Sequence, residues 1–300
     1  MTRNIALGGT VLLGLVAATS AAAAPDSQHP SAATKYTLRY VFRPGETLRW
    51  NVLHRSSVRT TMSDTTQVAE TLSTSVKVWR VQKVAPDGTV TFEHRVEDVD
   101  MQQDLTGRQR VRYNSRSDKT PPAGFENLSE AVGVTLAVVS MDNKGKILER
   151  RRSPVKAGSK SEAEMTIPLP ETPVAIGDTW SYPYDQGVTS EKAYKKIKIL
   201  QKFTLDDVQN GVAKIHVENE VLSPVQDPAV EAQLIECGAS GTVRLDIDAG
   251  RILERQMDLD KRVIGFRGEA SSIHYLTRFT EKFVSAAVEV AQHPGREEKK

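Results

Sequence analysis

The chain has 300 residues, 40 of them Lys or Arg and 38 Asp or Glu, with 39% hydrophobic residues and one cysteine. So even a charge balance supplies no field to draw in nucleic acid or an acidic membrane surface, and one cysteine excludes a disulfide within the chain. The length suits one large domain or two ordinary ones, held by core burial alone.

Residues 1–24 read as a secretory signal peptide. Arg3 is the positive start, and an apolar run from Ile5 to Ala18 contains Val11, Leu12, Leu13, Leu15 and Val16. Small residues follow to Ala24, with Ala22 and Ala24 as the pair before a cut ahead of Pro25. The run is shorter than the roughly 20 residues that cross a bilayer, and no later segment is long and apolar enough to do so. No cysteine near the cut invites a lipid anchor. Loss of Arg3 with the leader leaves a net charge of +1. The expected destination is the periplasm or the outside of the cell. A flexible lead, 25–35, then precedes a first β repeat at 36–150, a linker at 151–165, a second β repeat at 166–285 and a polar tail at 286–300.

The repeat rests on three echoes in the same order. Pro44-Gly45-Glu46-Thr47-Leu48-Arg49-Trp50 matches Ile176-Gly177-Asp178-Thr179-Trp180. Asp87-Gly88 and Asn210-Gly211 are each flanked by alternating apolar residues, the mark of a tight hairpin. Gly145-Lys146-Ile147-Leu148-Glu149-Arg150 recurs as Gly250-Arg251-Ile252-Leu253-Glu254-Arg255, each behind a polar turn and an apolar strand. Phe125, Leu128 and Val132 are spaced for a short helix. Asp227-Pro228 fits the start of a matching one, with continued strand as an equal alternative. Thr166 to Val174, with three prolines, reads as an extended arm. The fold class is mainly β: two related antiparallel halves forming paired or continuous strongly curved sheets, with one or two short helices. Two small barrels or sandwiches are the other arrangement; matching helices plugging a concave face favour the curved sheet.

Chemistry is sought next. There is no G-x-S-x-G, phosphate loop or dinucleotide fingerprint. Cys237-Gly238-Ala239-Ser240-Gly241 resembles a reactive thiol loop, but no spacing brings His216 or His274 beside it, so Cys237 is expected as a small buried residue at the start of a strand. Histidines 29, 54, 94, 216, 274 and 293 show no metal-ligand spacing. His94, two residues from Phe92 and from Val96, is expected to point inward as a satisfied core histidine. Acidic pairs occur as Asp98/Asp100, Asp246/Asp248 and Asp258/Asp260. Asp246 to Gly250 resembles a fragment of a calcium loop but lacks the further oxygens and the closing Glu, and reads as a hairpin turn. The pairs could serve acid–base hydrolysis of sugars, but strand carboxylates are usually solvated. Arg150-Arg151-Arg152 lacks interleaved aromatics and reads as a solvated linker face. No catalytic, cofactor or metal residue is assigned.

The aromatics give the one positive binding clue. Trp50, Trp79 and Trp180 are large rings, normally core, yet a curved sheet could leave its concave side as an apolar cavity. Tyr113 to Phe125, with Arg112, Arg116 and two prolines, suits a rim or lid. The candidate ligand residues are therefore Trp50, Trp79, Arg112, Tyr113, Arg116, Phe125 and Trp180.

Tyr40 to Trp50, Pro86 to Glu93 and Gly241 to Arg255 together resemble a family of exported bacterial proteins of unknown function, chiefly planctomycete, across roughly Tyr36 to Val284. The shared motifs are turn and core signatures, and the family implies no catalytic residues. A second likeness, to the curved half-barrels of periplasmic lipoprotein carriers, is one of fold alone. The expected function is an exported non-enzymatic binding or scaffold protein of the envelope. Its expected partner is an apolar small molecule or lipid in the concave face, or an envelope protein; no nucleic acid and no membrane span in the mature chain are expected. The alternatives are a hydrolase using the acidic pairs or Cys237, and a structural envelope protein.

Overall fold

The alternating segments become strands, joined where glycine and asparagine permit reversal. The structure, a computed structural model, describes residues 33–154, 165–189 and 194–288. The predicted leader, most of the flexible lead and residues 155–164 of the linker lie outside the described residues, as do residues 289–300 of the tail. Two short strands, β1 (Lys35–Tyr36) and β8 (Val174–Ala175), pair with each other. The first wing of the main sheet contains β2 (Glu46–Met62), β3 (Thr65–Val84), β4 (Val90–Leu105), β5 (Val111–Asn114), β6 (Thr135–Met141) and β7 (Ile147–Arg152). The second contains β9 (Thr179–Thr189), β10 (Tyr194–Gln209), β11 (Val212–Val221), β12 (Ser240–Asp246) and β13 (Arg251–Ile264), and β14 (Ser271–Val288) follows.

These form one 12-stranded antiparallel sheet in the order β7-β6-β4-β3-β2-β14-β13-β12-β11-β10-β9, with β5 beside β4. Its ends, β7 and β9, do not pair with each other, so the sheet is not a closed barrel. The last strand, β14, lies between β13 and β2 and joins the wings. The halves are thus parts of one sheet.

The turns follow from local chemistry. Asn210 and Gly211 both have positive φ, 51° and 75°, the pair of values that a two-residue hairpin turn matching strand twist requires. The two Gly-acid-Thr openings share one hydrogen-bond pattern. The Glu46 carboxylate accepts from the Arg43 backbone N–H at 3.1 Å, and the Asp178 carboxylate from that of Ala175 at 2.8 Å. Gly45 N donates to Val81 O at 3.0 Å and Gly177 N to Leu205 O at 2.8 Å, each tying the turn to the adjacent hairpin.

Phe92 on β4 and Phe203 on β10, far apart in the sheet order, are both fully buried in one cluster. That requires the sheet to fold over so that its wings face each other. Between them runs a strap, residues 37–43, contributing Leu38, Tyr40 and Phe42 to the same cluster. Tyr40 N donates to Asn143 O at 2.7 Å and Val41 N to Gly250 O at 3.0 Å. Successive strap residues therefore stitch the two turns that precede the I-L-E-R strands. The proline arm is a second strap: Met165, Ile167 and Leu169 are buried there, and Leu169 N donates to Lys144 O at 2.7 Å.

Two short helices cover the same face as the straps. The helix α1 (Glu126–Ala131) lies by Val99 and Tyr113 through Phe125 and Leu128. The helix α2 (Pro228–Gln233) is capped by Asp227, whose carboxylate accepts from Ala229 N at 2.8 Å, and packs Val230 and Leu234 against Val188 and Ile199. Helix thus wins over continued strand there. A 3-10 turn, Ile235–Gly238, comes next and carries Cys237. Two expected boundaries shift. Arg151 and Arg152 belong to β7 and not to the linker, and β14 runs to Val288, into the expected tail.

Candidate functional site

Strand alternation assigns each residue to one of the sheet's two faces. Trp50 stands opposite Lys77 and Phe283, and Trp79 opposite Leu48, so all five project toward the folded-over interior. The Trp50 and Trp79 rings meet edge to face at 4.9 Å, Trp79 stacks on Phe92 at 4.4 Å, and the Lys77 ammonium lies 4.6 Å from Trp50 and 4.8 Å from Trp79. Lys77 also pairs with Glu281, which is 2% exposed. The other Glu281 oxygen accepts from Arg255 at 2.9 Å. Arg251 pairs with the buried Glu46 at 3.0 Å.

Burial pushes the Lys77 ammonium down to about 8 against the opposing pull of Glu281. Burial alone would raise Glu281, but Lys77 and Arg255 together hold it below the usual carboxylate range. The group is consequently a charged, paired cluster inside an aromatic cage. The void lined by Tyr40, Phe42, Trp50, Lys77, Trp79 and Met165, among others, measures about 10 Å³. That is room for at most one water.

A far larger space lies on the opposite face, where the long central strands continue past the core. This open groove is about 770 Å³. Two cross-strand rows line most of it. One runs Gln102, Leu72, Arg55, Arg278, Asp258, and the next Asp104, Glu70, Ser57, Leu276, Asp260, each ordered from β4 to β13. Asp258 takes Arg278 at 2.6 Å, Asp104 takes Arg110 at 2.7 Å and Asp260 meets His274 at 2.6 Å. Hydrogen bonding to Arg278 holds Asp258 low, and hydrogen bonding to Arg110 does the same for Asp104.

None of the seven expected ligand residues lines this groove. Trp50 and Trp79 are core, and they border the one-water void. Trp180 stacks on Phe203 at 5.5 Å and donates to Pro168 O at 2.8 Å, bracing the proline strap. Tyr113 and Phe125 are buried under α1, while Arg112 pairs with Asp100 and Arg116 with Asp98 on the other face. Among the described residues, straps, helices and rings pack the face where the apolar concave cavity was expected.

The remaining candidates also have places. His94 faces inward beside Trp79, but its buried Nδ1 has no hydrogen-bond partner, contrary to the expectation of a satisfied ring. Burial, aided by the Lys77 and Arg150 charges, pushes it down to about 3. Burial raises the half-buried Cys237 thiol, while Tyr184 hydrogen-bonds it. Asp246 accepts from Ala249 N at 2.8 Å within its hairpin turn. Among the described residues no group of three or more His, Cys, Asp or Glu is placed to hold a metal, and no helix is long and apolar enough to cross a membrane.

No protein-family model matches the chain, and no curated protein matches it. Solved structures do. A lipovitellin structure described for its lipid–protein interactions matches over 85% of this chain and 26% of its own, at 10% identity and a TM-score of 0.47. The chain therefore spans about a quarter of that protein's length. A DUF1329 family protein from Desulfovibrio piger matches over 83% of this chain and 88% of its own, at 11% identity and a TM-score of 0.14. Likenesses this distant carry no argument about ligand or activity.

Proposed function

We propose that this chain is an exported, non-enzymatic binding protein of the cell envelope, and that its ligand lies in the open groove on the outer face of the sheet. The observation that carries this reading is the contrast in space. About 770 Å³ is open there against about 10 Å³ beside the tryptophans, and ligand sites typically occupy roughly 300–1,000 Å³. The non-enzymatic part rests on the acids. Arg278 and Arg112 hold Asp258 and Asp100 low, the reverse of the raised value that a general acid needs. Export rests on the pattern of residues 1–24, and the two wings are read as a duplication on their shared turns.

The test is native mass spectrometry of the protein taken gently from its own cells. The expected result is an adduct in the wild type that Ser57→Trp, which fills the groove floor from an exposed face, removes. An adduct retained by Ser57→Trp contradicts the reading. Export is read in the same spectrum: a chain beginning at Pro25 is expected, and one still carrying the leader argues against it.

A further inference from the structure

We propose, resting on the groove being the ligand site, that its ligand is a zwitterionic amphiphile: a head with one acidic and one ammonium group on an apolar chain. Pairing the groove's charges leaves a definite remainder. Arg278, Arg110 and His274 are engaged by Asp258, Asp104 and Asp260. Arg55 and Glu70 line the same space, and among the described residues neither has a hydrogen bond or ion pair, although the Glu70 charge also acts on Arg110. Arg55 stands directly opposite Arg278 on the neighbouring strand, and Asp258 already pairs with Arg278, so Arg55 is the guanidinium left to take an acidic oxygen.

Glu70 lies one row along, opposite Ser57, so it is a diagonal neighbour of Arg55. Such positions are roughly 7–8 Å apart, which leaves the two charges separate and suits a head that presents opposite charges side by side. A simple anion would gain Arg55 but meet Glu70; a simple cation would gain Glu70 but meet Arg55.

The apolar part of the ligand has its own seat. Leu72 and Leu276, 40% and 47% exposed, adjoin Arg55 and Ser57 in the two rows. Large aliphatic side chains left open inside a groove are surface that an alkyl chain can bury. The acidic group can be phosphate or carboxylate; both offer the same oxygens to guanidinium groups.

Calorimetry with dodecylphosphocholine, dodecyl phosphate, dodecyltrimethylammonium and dodecyl maltoside, each below its micelle concentration, tests this. The zwitterion should bind about tenfold tighter than each of the others. Arg55→Gln and Glu70→Gln should each weaken it several-fold, the former sparing the cationic probe and the latter the anionic one. Comparing dodecyl phosphate with dodecanoate, which both carry the acid at the end of the chain, distinguishes the two acid groups. If the anionic or neutral probe binds as tightly, or Glu70→Gln changes nothing, the zwitterion assignment falls while the groove stands. If no probe binds, or Ser57→Trp leaves binding unchanged, the groove assignment falls with it.

Discussion

The protonation of His94 should be visible in the stability of the whole sheet. The ring sits inward beside Trp79, its Nδ1 unpaired, and burial pushes it down to about 3 from a usual 6.5. Between those values the unfolded chain binds a proton that the native chain refuses, so stability falls as pH falls through that window. By pH 4 the penalty is roughly 3 kcal/mol, at about 1.4 kcal/mol per pH unit. His94→Leu removes the proton site and leaves an apolar side chain against Trp79. Urea unfolding, monitored by tryptophan fluorescence from pH 7.5 to 4, gives the comparison. Whatever offset the substitution causes at pH 7.5, the wild type should lose about 3 kcal/mol more than the variant on the way down. Parallel curves would mean that the native imidazole titrates as in water, and the reasoning about its burial would fail.

Other consequences can be checked in the same format. Glu281→Gln leaves Lys77 and Arg255 buried without their anion, and should cost about 3–5 kcal/mol; a loss below about 1 kcal/mol would mean that water already reaches the cluster. Gly250→Ala would put a Cβ 2.4 Å from Val41 N at a φ of +59°, so it should destabilise more than Gly107→Ala. At Gly107, φ is +76° and nothing lies within 4 Å, so only the backbone penalty of about 1–2 kcal/mol applies. Equal losses would count against the strap contact. Burial raises the Cys237 thiol, so its alkylation at pH 7.5 should be at least about tenfold slower than in urea; equal rates would refute its shielding.

The hairpin turns were legible because turn chemistry is local: Asn-Gly favours the two positive φ values that Asn210 and Gly211 adopt. Asp227-Pro228 was legible only as a candidate helix start, because a strand fits the same residues until Val230 and Leu234 find Val188 and Ile199 to pack on. The G-[KR]-I-L-E-R recurrence was legible as a hairpin, but not its full reason. Gly145 and Gly250 are needed because the straps press on them, with Ile167 O 2.5 Å and Val41 N 2.4 Å from where a Cβ would be. Arg255 is needed because Glu281, on another strand, waits inside. Those contacts are long-range and leave no periodic trace. The aromatics misled for a related reason: a tryptophan looks the same in sequence whether it lines a cavity or fills one, and here the straps fill it. The groove was invisible because its rows draw one residue from each of five strands, and Arg55 and Glu70 differ from any solvated pair only in what the neighbouring strands leave unpaired.

The location of the bound ligand is the central claim, and it can be seen directly. A crystal of the protein with a zwitterionic amphiphile brominated along its chain would give an anomalous peak for the bromine. That peak should lie against Leu72 and Leu276, with the head between Arg55 and Glu70. A peak among Trp50, Trp79 and Phe283 would contradict the account, because the interior would then have opened to take the chain.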